Sequence, residues 1–451
     1  MTAFFVAAGQ EFTRKSYNLI NRRNLYLNYG LLSLASTLHE CGVESYQIQG
    51  NFDPPEETLM SLIELGLANT GWPIFLSIPS FYALSWAQKF VAATKNALPH
   101  IDFIIGGRWV VAGRPDLLKK SIPLASEIID GVGENYIRQM ASKNFGGSFS
   151  YGEIPSLNYK LLHKREMYQP SIEISRGCGM GCAFCQEKDL PKSALKNPVN
   201  LIREIGNVII NDHFRPMTPY FEASIFTPTT KWVDEINRVT KEVEFDVKWR
   251  TEARVDSLAP DHLEKLAECG LAVIDLGLES GSVRQLLQMR KTKNPENYLM
   301  RASALLRRAK SCGVRTKVNV LLYAGEDAGT IDETSEWLAA HSDCITGVSV
   351  GPVMAFGWDE TARDYVDSLE LAGASRIVKH GLQGVHSFNL SKSIDYESSL
   401  EISKIISRNF MDERSYFFLK SFSYFPRNYD FSEFLSDIKN IPTSDLSFSV
   451  N

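Results

Sequence analysis

The stretch SIEISRGCGMGCAFCQE, residues 171–187, joins a strand pattern to three closely spaced cysteines. The isoleucines of SIEIS alternate with polar residues, as they do in a half-buried strand. The loop that follows places Cys178, Cys182 and Cys185 within eight residues of one another. Three thiolates on one loop are typical of iron–sulfur ligation, so this loop is the candidate metal centre.

The number of cysteines in the loop separates an iron–sulfur cluster from a zinc site. A structural zinc ion normally takes four ligands with paired CxxC or Cys/His spacing, and the sequence offers no second CxxC or HxxxH partner. Three thiolates can instead hold three irons of a 4Fe–4S cubane and leave the fourth iron open. The remaining cysteines stand singly, and Cys269 and Cys312 are interpreted as packing residues at helix ends.

Outward from this loop, strands and helices alternate from Pro170 onward for six units. Six units predict an incomplete barrel, in which functional residues lie at the carboxyl ends of the strands. The predicted strands are SIEISR, PYFEASIF, VKWRTEA, AVIDLGLE, TKVNVLLY and GVSVGPV.

Residues 1–140 show the same alternation, which predicts a parallel sheet with helices on both faces and a ligand crevice at the carboxyl ends of its strands. Residues 141–168 are rich in Gly, Ser and Pro and are interpreted as a linker. We therefore predict an α/β protein with a Rossmann-like domain (1–140), a linker (141–168), a partial (β/α)6 barrel (169–360) and a small α-rich C-terminal extension (361–451).

The composition limits the classes of function. The 451 residues carry a net charge of −5, with 22% charged and 44% hydrophobic residues, so nothing indicates a nucleic-acid-binding surface. No apolar run approaches the length of a membrane span. Seven cysteines without a signal peptide favour a reducing, cytoplasmic location.

The CxxxCxxC spacing, with Phe184 before the last cysteine and a partial barrel after it, resembles the radical S-adenosylmethionine (SAM) superfamily. The resemblance implies that Cys178, Cys182 and Cys185 hold a 4Fe–4S cluster. It also implies that the open iron binds SAM, whose reductive cleavage yields a 5′-deoxyadenosyl radical. An electron donor such as flavodoxin or ferredoxin is then expected.

Later segments resemble the SAM-binding segments of the same family. LGLESGS (276–282) is similar to the segment that lines the SAM pocket, and WRTEARVD (249–256) to the one whose arginine pairs with the SAM carboxylate. The usual Gly-Gly-Glu element is missing after the second barrel strand, where Glu222 or Ser224 would replace it. The residues expected to contact SAM are Phe184, Ser224, Arg254, Glu279 and Ser280.

Residues 1–140 resemble the cobalamin-binding-type domain that precedes many radical SAM barrels, but the Asp-x-His-x-x-Gly motif for a lower axial histidine is absent. In GGRWVV, the bulky Arg108 and Trp109 follow two glycines at the crevice. We therefore expect these side chains to refill the crevice and cobalamin to be absent. If they turn outward instead, cobalamin binds.

Two reactions follow from these two possibilities. Without cobalamin, the chain resembles the aminoglycoside diol-dehydratases of the apramycin and paromamine type, which would remove water from an amino sugar and need a partner reductase. With cobalamin, the resemblance implies radical methylation of a carbon or phosphinate. A non-enzymatic iron–sulfur protein is the third alternative, but it requires a fourth cluster ligand that the sequence near the motif does not offer.

For the dehydratase, polar residues at strand ends and at the crevice are the candidates for proton transfer and substrate binding. The expected proton-transfer groups are Tyr323, Glu222 and Lys317. The expected contacts to a small polar substrate are Asp53, Arg108, Trp109, Glu252, Asn319 and Glu326.

Overall fold

The computed structural model describes residues 2–11, 26–145, 156–207, 218–377, 382–425 and 429–450. The predicted α/β fold is confirmed, since the chain forms two parallel sheets that match the two predicted alternating regions. The pattern NLIREIGNVIIND, residues 200–212, predicts a helix. The structure describes this segment as far as Asn207, and its remainder lies outside the described residues.

The first sheet has the strand order β2-β1-β3-β4-β5, with all pairs parallel. β2 lies on one side of β1, and β3 to β5 follow on the other side, so the strand order reverses between β1 and β3. Open α/β sheets bind their ligands at this point. Because β1 is covered on both faces, it is apolar throughout: Phe5 packs into one core cluster and Phe4 into another. The strands are β1 (Thr2–Ala7), β2 (Glu44–Gln49), β3 (Ile74–Ser77), β4 (Phe103–Gly106) and β5 (Glu127–Ile128), and the helices are α1 (Tyr29–Glu40), α2 (Pro55–Glu64), α3 (Leu84–Ala97), α4 (Arg108–Val111), α5 (Pro115–Ser121) and α6 (Gly133–Phe145).

The second sheet keeps chain order across six parallel strands, as the predicted partial barrel requires. Its outer face is apolar and packs against helices, with the rings of Phe221 and Trp249 stacked 4.4 Å apart. The strands are β6 (Ser171–Glu173), β7 (Tyr220–Glu222), β8 (Trp249–Arg254), β9 (Leu271–Glu279), β10 (Arg315–Leu322) and β11 (Gly347–Pro352), and the helices are α7 (Pro198–Gly206), α8 (Thr230–Thr240), α9 (Leu263–Glu268), α10 (Val283–Gln288), α11 (Pro295–Ser311) and α12 (Ala328–Ala339).

The C-terminal region combines helices with a small antiparallel sheet of order β12-β14-β13, which the sequence patterns did not indicate. Trp358, at the start of α13, donates a 2.8 Å hydrogen bond to the carbonyl of Val110, so this region packs against the first sheet's layer. The aromatic stretch 414–425 contributes to a separate core cluster. The elements are β12 (Met354–Phe356), α13 (Asp359–Leu371), β13 (Ser375–Ile377), β14 (Val385–Asn389), α14 (Tyr396–Asn409), α15 (Glu413–Tyr424) and α16 (Phe431–Ile438).

The two sheets share one hydrophobic core cluster, which includes Phe5 and Leu32 from the first and Ile172 and Leu276 from the second. Among the described helices, none is long and apolar enough to cross a membrane.

Candidate active site

The cysteine loop follows β6 directly and is closed by backbone hydrogen bonds. The amide of Cys178 donates to the carbonyl of Leu190 at 3.0 Å, and that of Ala183 donates to the carbonyl of Met289 at 2.8 Å. Gly177 has φ +72°, and an added Cβ there would lie 2.2 Å from the carbonyl oxygen of Pro191. Only glycine fits this turn, which brings the loop back against the barrel.

Two thiols of this loop, those of Cys178 and Cys185, are harder to ionise than a free cysteine. Burial raises the pKa of Cys178, and it raises the pKa of Cys185 to about 11. Cluster binding therefore has to displace protons. Within the described residues, no three His, Cys, Asp or Glu side chains converge on a single ion. A cubane does not require that convergence, because each thiolate binds a different iron, so three thiols on one loop fit its three corners.

Arg254, the residue expected to pair with the SAM carboxylate, lies against the cysteine loop. Its Nη1 donates to Cys182 Sγ at 2.9 Å, and its guanidinium binds Asp256 through two contacts of 2.8 and 2.9 Å. Nη2 also donates to the carbonyl of Lys291 at 2.6 Å. These contacts hold the cation beside the sulfur of a predicted cluster ligand.

Glu279 ends β9 with φ +71°, which is unusual for a residue with a side chain. Its carboxylate pairs with Lys291 at 2.8 Å, and the Lys291 ammonium lies 5.7 Å from the Phe184 ring centre. Lys291 thus joins two residues expected to contact SAM, and the sequence analysis missed it because a lysine in KTKN looks like a solvated surface residue. Ser280 is buried and bonds Thr334 at 3.0 Å, so it supports the turn.

Strand register places five charged residues side by side on the inner face of the barrel. Glu173 pairs in register with Glu222, and Glu252 pairs with Asp275, which in turn pairs with Lys317. Since Phe221 is level with Thr251, the next residues along β7 and β8, Glu222 and Glu252, are also neighbours. We call Glu173, Glu222, Glu252, Asp275 and Lys317 the charged row. Asn319 lies on the same face as Lys317, nearer the carboxyl end of β10.

The carboxylates of this row differ in their partners. Asp275 contacts Arg250 at 3.1 Å and Lys317 at 3.2 Å, and Glu173 contacts Arg176 at 2.7 Å. In the described part of the chain, no cation lies within 4.0 Å of Glu222 or Glu252.

The pKa values of the same two carboxyl groups are raised above the ordinary value for glutamate. Burial, with the charges of neighbouring carboxylates, raises the pKa of Glu222 to about 8 and that of Glu252 to about 7. The Glu252 side chain nevertheless remains accessible to solvent, because it lines the open interior of the barrel. Perturbed acids that face an open interior are typical of functional sites.

The structure does not bring three of the expected residues into the barrel interior. Tyr323 is only 3% exposed and its side chain contacts Tyr365 of α13. Glu326 accepts hydrogen bonds from Thr330 and from the Tyr323 amide, which ties it to the start of α12. Asp53 pairs with Lys164 at 2.7 Å. The positions of these residues therefore lend no support to the roles expected for them in proton transfer and substrate binding.

The space directly in front of Gly106, at the end of β4, is open. An added Cβ at Gly106 would meet no atom within 4 Å. The Arg108 guanidinium instead reaches the carboxylate of Glu187 in the cysteine loop at 2.9 Å, and it lies 4.8 Å from the Trp109 ring centre. Glu187 also accepts a 3.1 Å hydrogen bond from Ser224, so this contact connects the two sheets.

Residues 172–338 match the family model of the radical SAM superfamily, a range that runs from β6 to α12 and includes the cysteine loop. This segment of the chain is a radical SAM domain. Its 4Fe–4S cluster and SAM follow from that domain, with Cys178, Cys182 and Cys185 as the proposed ligands. No curated protein matches the chain in sequence.

Solved structures of similar fold include a radical SAM methyltransferase and a cobalamin-dependent SAM radical enzyme. The radical SAM methyltransferase TsrM from Kitasatospora setae, with tryptophan substrate and the SAM analogue aza-SAM bound, is 13% identical with a TM-score of 0.64, covering 84% of this chain and 79% of that chain. The same enzyme with cobalamin and a [4Fe-4S] cluster bound gives a TM-score of 0.63 at 13% identity, covering 87% and 83%.

OxsB, a cobalamin-dependent SAM radical enzyme with aqua-cobalamin bound, is 18% identical with a TM-score of 0.58. The match covers 76% of this chain and 52% of OxsB, so the chain spans about half of the OxsB length. At these identities the similarity shows the fold.

Proposed function

We propose that this protein is a cobalamin-dependent radical SAM methyltransferase. The observation that carries the proposal is the open space in front of Gly106, at the end of β4 beside the point where the first sheet reverses its strand order. Ligands of such sheets bind at this edge. Support also comes from the fold, which is similar along most of the chain to that of a methyltransferase solved with cobalamin and a cluster.

The residues of the barrel have distinct tasks in this proposal. Cys178, Cys182 and Cys185 would hold the cluster, and Arg254 and the Glu279–Lys291 pair would orient SAM beside it. When bound, the cluster and SAM supply a 5′-deoxyadenosyl radical and cobalamin supplies a methyl group. The charged row would bind the substrate on the inner face of the barrel.

Dehydration of an amino sugar, which the sequence analysis favoured, gains no support from the comparisons. The solved structures of similar fold include cobalamin-bound enzymes, so the expected absence of cobalamin gains none either. Tyr323, the tyrosine expected to transfer protons in the dehydration, is packed in the core. The methylation that the sequence analysis kept as an alternative is therefore the better-supported reaction.

Cobalamin retention tests the proposal directly. Protein reconstituted anaerobically with iron and sulfide is incubated with hydroxocobalamin, freed of excess ligand by gel filtration, and measured by its corrinoid absorbance. We expect about one corrinoid per chain, and no retained corrinoid would contradict the proposal. A Cys182→Ala variant is the control, since it should retain corrinoid but form no 5′-deoxyadenosine from SAM.

The products separate methylation from dehydration. With SAM, a reductant and a methyl-accepting substrate, methylation yields S-adenosylhomocysteine together with 5′-deoxyadenosine. Loss of water with 5′-deoxyadenosine and without S-adenosylhomocysteine would establish the dehydratase instead.

A further inference from the structure

The charged row is unequally neutralised. Asp275 has two cations and Glu173 has one, whereas Glu222 and Glu252 have none within 4.0 Å among the described residues. Glu222 is half-buried and Glu252 lines the solvent-accessible interior. Without a neighbouring cation, partial removal from water and the nearby carboxylates make both groups costly to ionise, so the pKa of each is raised. The inner face of β7 and β8 therefore carries two neighbouring carboxyl groups that no cation of the described residues neutralises.

A buried hydroxyl faces the same interior. Ile172 and Ile174 point into the hydrophobic core, so alternation along the chain directs Ser171, Glu173 and Ser175 toward the barrel interior. Ser175 is 3% exposed, and its Oγ has no hydrogen-bond partner among the described residues. A buried hydroxyl without a partner indicates that a bound molecule or water completes its hydrogen bonding.

The first sheet's layer adds an aromatic ring beside these carboxylates. Tyr29, at the start of α1, is partly buried, and its pKa is raised by burial and by the charges of nearby carboxylates, Glu222 first among them. A tyrosine ring next to unneutralised carboxylates favours a cation, since the ring face attracts positive charge.

We propose that the substrate carries a protonated amino group and that Glu222 and Glu252 bind this group inside the barrel. An ammonium has three N–H donors, which suit two carboxylates and the Ser175 hydroxyl. Neighbouring strands lie about 4.8 Å apart, so one ammonium can contact both carboxylates. A cation favours the ionised form of both carboxyl groups, whereas an anionic substrate would make their ionisation still more costly. The proposal rests on the proposed function in that it assigns the barrel interior to the substrate.

Methylammonium chloride is the probe, because it presents the recognised group alone. Its dissociation constant is measured from the rise in unfolding temperature of the reconstituted protein, with potassium chloride at equal ionic strength as the reference. We expect methylammonium to stabilise the protein and tetramethylammonium, which has no N–H donor, to have no such effect.

Substitution of the two glutamates tests whether their carboxylates bind methylammonium. In the Glu222→Gln/Glu252→Gln double variant, the dissociation constant for methylammonium should rise at least about tenfold, because two charge-assisted hydrogen bonds are lost. Glu268→Gln is the matched control, since Glu268 lies on α9 outside the barrel and pairs with Lys241 at 3.5 Å. Equal stabilisation of the wild type and the double variant, no stabilisation of the wild type, or an equal effect of tetramethylammonium would overturn the proposal.

Two further measurements keep the result interpretable. The two single variants replace the double variant if that variant does not fold, and the iron–sulfur absorbance of the reconstituted protein reports an intact barrel in each. Corrinoid retention is measured on the same preparations. If corrinoid binds but methylammonium does not, the proposed substrate class is wrong while the proposed function stands. If methylammonium binds but corrinoid does not, the ammonium site stands and the proposed function is wrong.

Discussion

Asp275 and Glu222 show that partners decide the ionisation of buried acids in this barrel. Burial alone would raise the pKa of Asp275, but Lys317 and Arg250 lower it to about 2. Glu222 lies in the same row without a cation, and its pKa rises to about 8. The acid that is already neutralised by lysine and arginine is a structural ion pair, whereas the unpaired acid is free to act on a ligand.

Replacement of Glu222 should change how stability depends on pH. The pKa of Glu222 lies near 8 in the folded protein and near 4.5 in the unfolded chain, so folding takes up a proton between these values. The free energy of unfolding therefore falls as pH rises through about 5 to 8. Glu222→Gln should remove part of this fall, measured by urea unfolding at several pH values. Glu268→Gln, an exposed control, should keep the wild-type slope, and an unchanged slope in Glu222→Gln would contradict the raised pKa.

Two adjacent glycines at the end of β4 differ in whether a side chain would fit: Gly107 has no room for one, whereas Gly106 does. Gly107 has φ +149°, and an added Cβ would lie 2.2 Å from the carbonyl oxygen of Ile78. Gly106 has no atom within 4 Å of an added Cβ. The turn after β4 therefore needs glycine at 107 for its backbone, while glycine at 106 leaves the crevice open.

Substitutions at these two glycines should separate folding from cobalamin binding. Gly107→Ala should lower the free energy of unfolding by about 1–3 kcal/mol, because the backbone conformation is strained for any side chain. Gly106→Leu should leave stability nearly unchanged and reduce corrinoid retention by filling the crevice. Both are measured by urea unfolding and corrinoid absorbance. Full retention in Gly106→Leu would show that cobalamin does not bind at this edge.

The molecule is held together by a shared core more than by charges between its layers. Arg108 and Glu187 join the first sheet's layer to the cysteine loop, but the Arg108 side chain is 49% exposed. Trp358 is buried, packs edge-on against Phe81 at 5.2 Å, and bonds the carbonyl of Val110. An exposed ion pair contributes little to stability, whereas a buried indole contributes through packing.

Loss of the buried tryptophan should therefore cost far more than loss of the ion pair. Trp358→Ala should lower the free energy of unfolding by about 3–5 kcal/mol, and Arg108→Ala by at most about 1 kcal/mol. Urea unfolding of both variants against the wild type measures the difference. Comparable losses in the two variants would mean that the contact between Arg108 and Glu187 is stronger than its exposure indicates.

The sequence by itself determined the two α/β regions, their strand positions and the cysteine loop. These are local features: an apolar period or a cysteine spacing is visible within about 10–20 residues. The same local character explains why Arg254 and Glu279 could be predicted as SAM contacts, since each lies in a short recognisable segment. The small sheet of β12, β13 and β14 was not found, because its strands have only three to five residues and pair across long loops.

Only the tertiary structure decided which polar residues meet. Strand register places Glu222 beside Glu252 and gives Asp275 its two cations, and the fold brings Arg108 to Glu187. Chain folding likewise brings Lys291 to Glu279 and packs Tyr323 into the core. Such contacts join residues far apart in sequence, and their energy depends on burial and on neighbouring charges, neither of which a local pattern contains.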